Sequence, residues 1–185
     1  DRGYTNFNLP ARSYTHEQLD GKTSFITRAA GKAVEKGIFV EVSAGNEGGA
    51  KWHKIAVPSD AENVLTVGSI KIDSLVSYFS SRGPTADGRI KPDVVALGSK
   101  ISVIASDGEI ERSDGTSFAG PVMSGIVACL WQAYPQLTNL QLLDIIRKSS
   151  HRYEKPNNSY GYGIPDMKKA MEIASLYINE INNRE

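Results

Sequence analysis

The chain has 185 residues, 40% hydrophobic and 23% charged, which suits one soluble domain with a substantial core. Lys+Arg and Asp+Glu both number 21, so no global charge draws it to nucleic acid or to an acidic membrane surface. A single cysteine excludes an intrachain disulfide, no Cys/His spacing suits a metal, and no apolar run is long enough to span a bilayer.

Residues 1–19 read as polar and irregular. Lys22 to Lys36 predicts an amphipathic helix capped by Thr23 and stopped by Gly37, with Phe25, Ile26, Ala29, Ala30, Ala33 and Val34 on its buried face. Gly21-Lys22-Thr23 is not a phosphate loop, because His16 stands where that motif needs a glycine and no strand precedes it. Ile38 to Ser43 predicts a β-branched strand that delivers the chain into the glycine-rich loop Ala44-Gly45-Asn46-Glu47-Gly48-Gly49. Open α/β sheets place their ligands at such strand ends. Asn46 can be a turn former there, or an amide donor fixed beside a substrate.

Val64 to Ser69 predicts a second strand, and Val76 to Pro84 an edge strand ending in a Gly-Pro turn. Lys91 to Gly98 and Ile101 to Ser106 predict two more, with Asp107-Gly108 as a turn. Gly115-Thr116-Ser117 then opens a long apolar helix. Phe118, Val122, Ile126 and Cys129 form one expected buried face, widened by Met123, Val127, Leu130 and Trp131. On this reading Cys129 is a small buried hydrophobe. A helix start near Ser117 leaves Pro121 near the first turn, where it is tolerated. Ser117 is then either an N-terminal cap or a nucleophile facing unpaired N–H donors. Thr138 with Gln141 forms a capping box for residues 139–150, with Leu140, Leu143, Ile145 and Ile146 inward. The last helix runs from Asp166 to about Ile178, burying Met167, Ala170, Ile173, Ala174 and Tyr177, and 178–185 reads as a frayed end.

Taken together, the motifs resemble the subtilisin-like serine peptidases. Gly115 to Pro121 is similar to that family's nucleophile motif, Gly-Thr-Ser-x-Ala-x-Pro, and Ser43 to Gly48 to its oxyanion loop. Val76 to Pro84 resembles the family's Phe-Ser-Ser-x-Gly segment, Lys91 to Gly98 its Lys-Pro-Asp-x-x-Ala-x-Gly strand, and Tyr160 to Asp166 its last Gly-x-Gly turn. The resemblance implies an α/β fold, a three-layer, mainly parallel, doubly wound sheet flanked by helices. It implies Ser117 as nucleophile, Asn46 as oxyanion donor, Thr116 as an added donor and Gly115 as clearance for substrate. Gly3 would sit on the substrate-binding strand, Ser43, Ala44 and Gly45 would line the pocket for the residue before the cleaved bond, and Glu47 would lie near its floor.

Family members carry Asp, then His, then Ser along the chain, the first two in Asp-[Ser/Thr]-Gly and His-Gly-Thr segments. Neither segment occurs here, and His16, His53 and His151 lack the flanking residues. The chain opens at Asp1 with neither Met nor signal peptide. It therefore reads as residues 1–185 of a C-terminal portion, inactive by itself, from a parent endopeptidase acting on peptide or protein substrates. The alternative is a non-catalytic pseudoenzyme or binding domain. Phe118 replaces the Met usual after the nucleophile, and Val122-Met123 the usual His-Val. The resemblance requires no cofactor; it allows a structural calcium for which no site is assignable. It implies an extracytoplasmic location, and truncation would leave a surface open to self-association.

Overall fold

The computed structural model describes residues 14–183, Ile181 by its backbone alone. After a short 3-10 turn at His16–Gln18 come α1 (Phe25–Glu35), β1 (Glu41–Ser43), β2 (Leu65–Ile70) and β3 (Val94–Leu97). The hairpin β4 (Ile101–Ile104) and β5 (Ile110–Ser113) leads into α2 (Thr116–Ala133), α3 (Asn139–Ser149) and α4 (Met167–Asn182). Strands β1, β2 and β3 form a parallel sheet in that order, with Glu41 opposite Leu65 and Val67 opposite Val94. Helices cover both faces. This is the α/β arrangement expected, although among the described residues the strand order does not reverse and both crossovers are irregular loops.

Strand alternation decides which helix meets which residue. Val40 and Val42 pack with Val34, Ala61 and Val64 beneath α1, whereas Leu65, Val67, Val94 and Ala96 face the α2 side. There they meet Ala119, Met123, Val127 and Leu130, with α3 and α4 completing the core through Leu142, Ile145, Ile146, Ala170 and Ala174.

Several expectations are corrected by this packing. On α1 the buried face runs through Thr27 and Val34, capped by Ser24 rather than Thr23, and Phe25 is 73% exposed. A hydrophobicity count misses Thr27 because its hydroxyl is satisfied by Asp60 Oδ1 at 2.6 Å. Helix α2 starts at Thr116, which makes Pro121 its sixth residue, on the exposed side. Cys129 is also exposed, lining with Pro121, Val122, Gly125, Met167 and Met171 an apolar groove of about 610 Å³. The stripe that faces the sheet is the one with small and slender residues, Ala119, Gly120 and Met123, which admits close approach. On α3, Leu142 takes the inward place expected for Leu140, which is exposed. The capping box at Thr138 and Gln141 is present. Val76 to Pro84 forms isolated bridges rather than a strand, Ile110–Ser113 adds an unforeseen one, and α4 continues to Asn182.

One buried cluster ties these layers together. Asp93, wholly buried at the start of β3, accepts from Thr66 N and Lys91 Nζ through Oδ2, each at 2.7 Å. Its Oδ1 accepts from Arg147 Nε at 2.9 Å and Nη2 at 2.5 Å. Burial pushes the Asp93 carboxyl up, but Lys91 and Arg147 outweigh it and hold the group below the ordinary carboxylate value. The contribution is therefore present above the unfolded pKa of about 3.9 and lost as pH falls through the lower folded value. Asp93→Ala leaves the buried Lys91 without its carboxylate beside the partly buried Arg147 and should destabilise the protein by about 3–5 kcal/mol at neutral pH. Urea midpoints of both proteins, measured from neutral pH into acid, check this. The gap should close in acid, and a gap independent of pH would contradict the assignment.

Candidate active site

The site lies where β1 and β3 end. Ser43 leaves β1 into a loop in which Gly45 takes φ +105°, a left-handed conformation that glycine adopts without penalty. The opposing loop runs from β5 through Asp114 and Gly115 into α2. A backbone bond from Gly115 N to Gly98 O at 2.8 Å holds it against the end of β3. A Cβ at Gly98 would stand 2.6 Å from Gly115 O, and one at Gly115 would stand 2.9 Å from Ser117 Oγ. A backbone atom thus excludes a side chain at Gly98, whereas at Gly115 the crowding is only with the Ser117 hydroxyl.

Four hydrogen bonds join the two loops across 70 to 73 residues of chain. Thr116 donates its N–H and its hydroxyl to Asn46 Oδ1, both at 2.9 Å. Gly45 N donates to Thr116 Oγ1 at 3.2 Å, and Ser43 Oγ to Thr116 O at 3.1 Å. Only an oxygen can receive two donors, so the carboxamide orientation is chemically fixed. Asn46 Nδ2 is left with no partner among the described residues, in an exposed side chain bonded to Thr116, the residue before Ser117. The Thr116 donors are directed at Asn46, not at the open face expected for an added donor. Ser117 is exposed, at the second position of α2, and its N–H belongs to the helix's unpaired first turn.

The structure thus brings Ser43, Gly45, Asn46, Gly115, Thr116 and Ser117 together. Ala44 is buried beneath them, bonded through N to Val67 O at 2.9 Å. Glu47 continues the same loop, and Gly3 falls outside the described residues. The histidines are elsewhere: His16 Nε2 lies against Pro84 O, His53 Nδ1 against Lys51 O, and His151 Nδ1 accepts from Ile164 N. None of them hydrogen-bonds Ser117 among the described residues.

Two supporting residues were missed in the sequence. Ser81 Oγ accepts from Glu47 N at 3.0 Å, while Ser81 N donates to Gly45 O and Phe79 O accepts from Gly48 N. The Phe-Ser-Ser segment therefore braces the Asn46 loop instead of pairing as a strand. Its two adjacent hydroxyls were the available signal. Glu41 is the second. It reaches α2 behind the Gly115–Ser117 loop, where Ser124 Oγ donates to Oε2 at 3.1 Å and Oε1 has no partner among the described residues. Burial raises its carboxyl above the ordinary value, against the lowering effect of Ser124. Gly120 makes room for it, since a Cβ there would stand 2.6 Å from Glu41 Oε1. Among the described residues no group of three or more His, Cys, Asp or Glu is placed to hold a metal ion, and no helix is long and apolar enough to cross a membrane.

The family model described as "Subtilase family" matches residues 10–163. "Serine protease AprX" of Bacillus subtilis is 34% identical over 175 residues, covering 83% of this chain and 38% of its own length. The structure of MycP1 from the ESX-1 type VII secretion system superposes with a TM-score of 0.65 at 25% identity, covering 81% of this chain and 46% of that one. The Clostridium perfringens CspB protease gives 0.59 at 28%, covering 66% and 29%. The chain thus spans less than half the length of each of these three proteins.

The bracing by Ser81 has a direct readout. Ser81→Ala removes the acceptor of Glu47 N–H, a bond worth about 0.5–1.5 kcal/mol, so exchange of that amide should quicken roughly three- to tenfold. The amide of Val67, inside β2, should keep its rate. Equal acceleration at both would mean that Ser81 supports the whole sheet rather than the loop.

Proposed function

The chain belongs to the subtilase family, and from that premise we propose that it carries the nucleophile and the oxyanion donor of a serine endopeptidase. One observation carries the reading: Asn46 Oδ1 is held twice by Thr116, which leaves the Nδ2 donors unspent next to Ser117. Ser117 Oγ attacks the carbonyl carbon of the scissile bond, and its proton passes to a base. The carbonyl oxygen becomes an oxyanion that accepts from Asn46 Nδ2 and Ser117 N–H. Collapse expels the amine, which takes up the proton, and water then releases the acyl group from Ser117 by the same path.

The base and the carboxylate that orients it come from residues outside this chain, because none of its three histidines meets Ser117. The 185-residue chain alone is then not a competent peptidase, since a serine hydroxyl without a base is a weak nucleophile. Ser43 and Gly45 line the pocket for the residue before the cleaved bond over the wholly buried Ala44, with Glu47 near its floor favouring a basic or polar side chain. The place of action is extracytoplasmic, following the family resemblance.

In the full-length protein, Asn46→Leu should lower kcat by about a hundred- to a thousandfold with little change in KM, because the amide bond strengthens only as charge develops. Unchanged kcat with a raised KM would make Asn46 a substrate-positioning residue instead. A peptidyl phosphonate should label Ser117 in the full-length protein and not in the isolated 185-residue chain. A full-length protein that resists labelling would favour the non-catalytic alternative.

A further inference from the structure

Beyond the nucleophile loop, past the carboxyl ends of β2 and β3, is a cavity of about 590 Å³. That volume lies in the range of about 300–1,000 Å³ usual for ligand clefts. Leu97, the last residue of β3, gives it an apolar floor, and Lys71, Asp73, Ser99, Lys100 and Arg112 supply its polar walls. Three cations thus line it against one carboxylate. Asp73 is engaged by Lys71 at 3.2 Å, whereas Lys100 and Arg112 stand in no side-chain ion pair among the described residues.

The backbone of Lys100 and the guanidinium of Arg112 are both held. Lys100 has φ 55°, a left-handed conformation that costs a non-glycine residue free energy and persists only when its surroundings enforce it. Both of its backbone groups are gripped from the β5 side. Lys100 N donates to Asp114 Oδ1 at 2.9 Å, and Arg112 Nη1 donates to Lys100 O at 2.9 Å. Ser99 Oγ donates to the same Asp114 oxygen at 2.5 Å. Of the nearby acids, Asp114 spends Oδ1 on Ser99 and on the Lys100 backbone, and Glu111 is turned away from Arg112. Arg112 is paired opposite Ser102 and Glu111 opposite Val103, so Arg112 and Glu111 leave β5 on opposite faces.

Asp114 also fixes where this cavity stands relative to the reaction. It is three residues before Ser117, and its carboxylate ties the cavity wall directly to the nucleophile loop. The loop meets β1 through Asn46 on one side and the end of β3 through Gly98 on the other. If the residue before the cleaved bond sits at the β1 side, the departing half of the peptide leaves across the β3 side. We propose that the Lys71–Lys100–Arg112 cavity is a specificity site for an acidic side chain on the leaving-group portion of a peptide substrate. The proposal rests on the peptidase reading given above. Arg112 retains N–H groups for a carboxylate after its bond to Lys100 O, in the fork geometry that suits one.

The test uses the full-length protein and two sets of C-terminally amidated peptides with Glu or Gln at each of the four positions after the cleaved bond. In the cleavage arm, kcat/KM for Glu should exceed that for Gln by about five- to twentyfold at one position, and the ratio should shrink with added salt. In Lys100→Glu/Arg112→Glu the preference should disappear or reverse. Should that double variant fail to fold, Lys100→Glu alone changes a side chain that makes no hydrogen bond among the described residues and should lower the ratio at least threefold. In the second arm the same peptides bind to the Ser117→Ala protein, read by fluorescence anisotropy. Binding that discriminates Glu from Gln without any cleavage by the parent would uphold the cavity and sink the peptidase reading. Cleavage with no Glu preference at any of the four positions, or with a preference that survives the charge reversals, would overturn the cavity and leave the peptidase reading standing.

Discussion

The structure depends on how α2 is seated. Its stripe of Ala119, Met123, Val127 and Leu130 must be buried against the parallel sheet, where Leu65, Val67, Val94 and Ala96 supply the complementary surface. A helix so placed, with strands running parallel beneath it, brings its first turn to the carboxyl ends of β1 and β3. Nothing about Ser117 itself is needed to put it there. The cluster around Asp93 keeps the seat rigid, because it fastens β2 through Thr66 and α3 through Arg147 to one buried carboxylate. The same seating turns Pro121, Val122, Gly125 and Cys129 outward, so an apolar helix carries one face into its own core and another onto a groove.

Chemistry enters through the hydrogen bonds that this seating permits. Thr116 spends both donors on one oxygen of Asn46, and the outcome is a carboxamide with a fixed orientation and a free N–H pair. A donor oriented before the reaction needs no reorganisation as charge develops, which is the physical basis of oxyanion stabilisation. The loop that carries Asn46 is secured from its other side by Ser81, and its glycine conformation at Gly45 is secured by Ser81 N. On the far side of the same nucleophile loop, Asp114 performs a comparable task for Ser99 and Lys100. One loop is therefore bonded both to the Asn46 loop and to the wall of the Lys100 cavity.

Much of this could be read from residues alone, and what could not has a physical cause. The Gly-Thr-Ser loop, the Ala-Gly-Asn loop, the parallel strands and the Thr138 capping box are local patterns whose meaning does not depend on distant partners. Faces of helices were less legible. Thr27 is buried because Asp60 receives its hydroxyl, and Cys129 is exposed because a narrower stripe of α2 suits the sheet. Both outcomes are set by tertiary partners that periodicity does not contain. The Phe-Ser-Ser segment shows the same limit: its sequence suggests an edge strand, while its function as a brace depends on Glu47 and Gly45 lying opposite. The second strand of the hairpin was hidden because Ile110 to Ser113 carries two charges in four exposed or half-exposed positions.

The central claim is that Thr116 orients Asn46 so that its Nδ2 meets the oxyanion formed on Ser117. The most direct measurement is a crystal structure of the full-length protein with a peptidyl phosphonate bonded to Ser117 Oγ. The account predicts a phosphoryl oxygen about 2.7–3.1 Å from both Asn46 Nδ2 and Ser117 N, with both Thr116 bonds to Asn46 Oδ1 intact. An adduct whose oxygen points away from Asn46, or an Asn46 carboxamide released from Thr116, would contradict it.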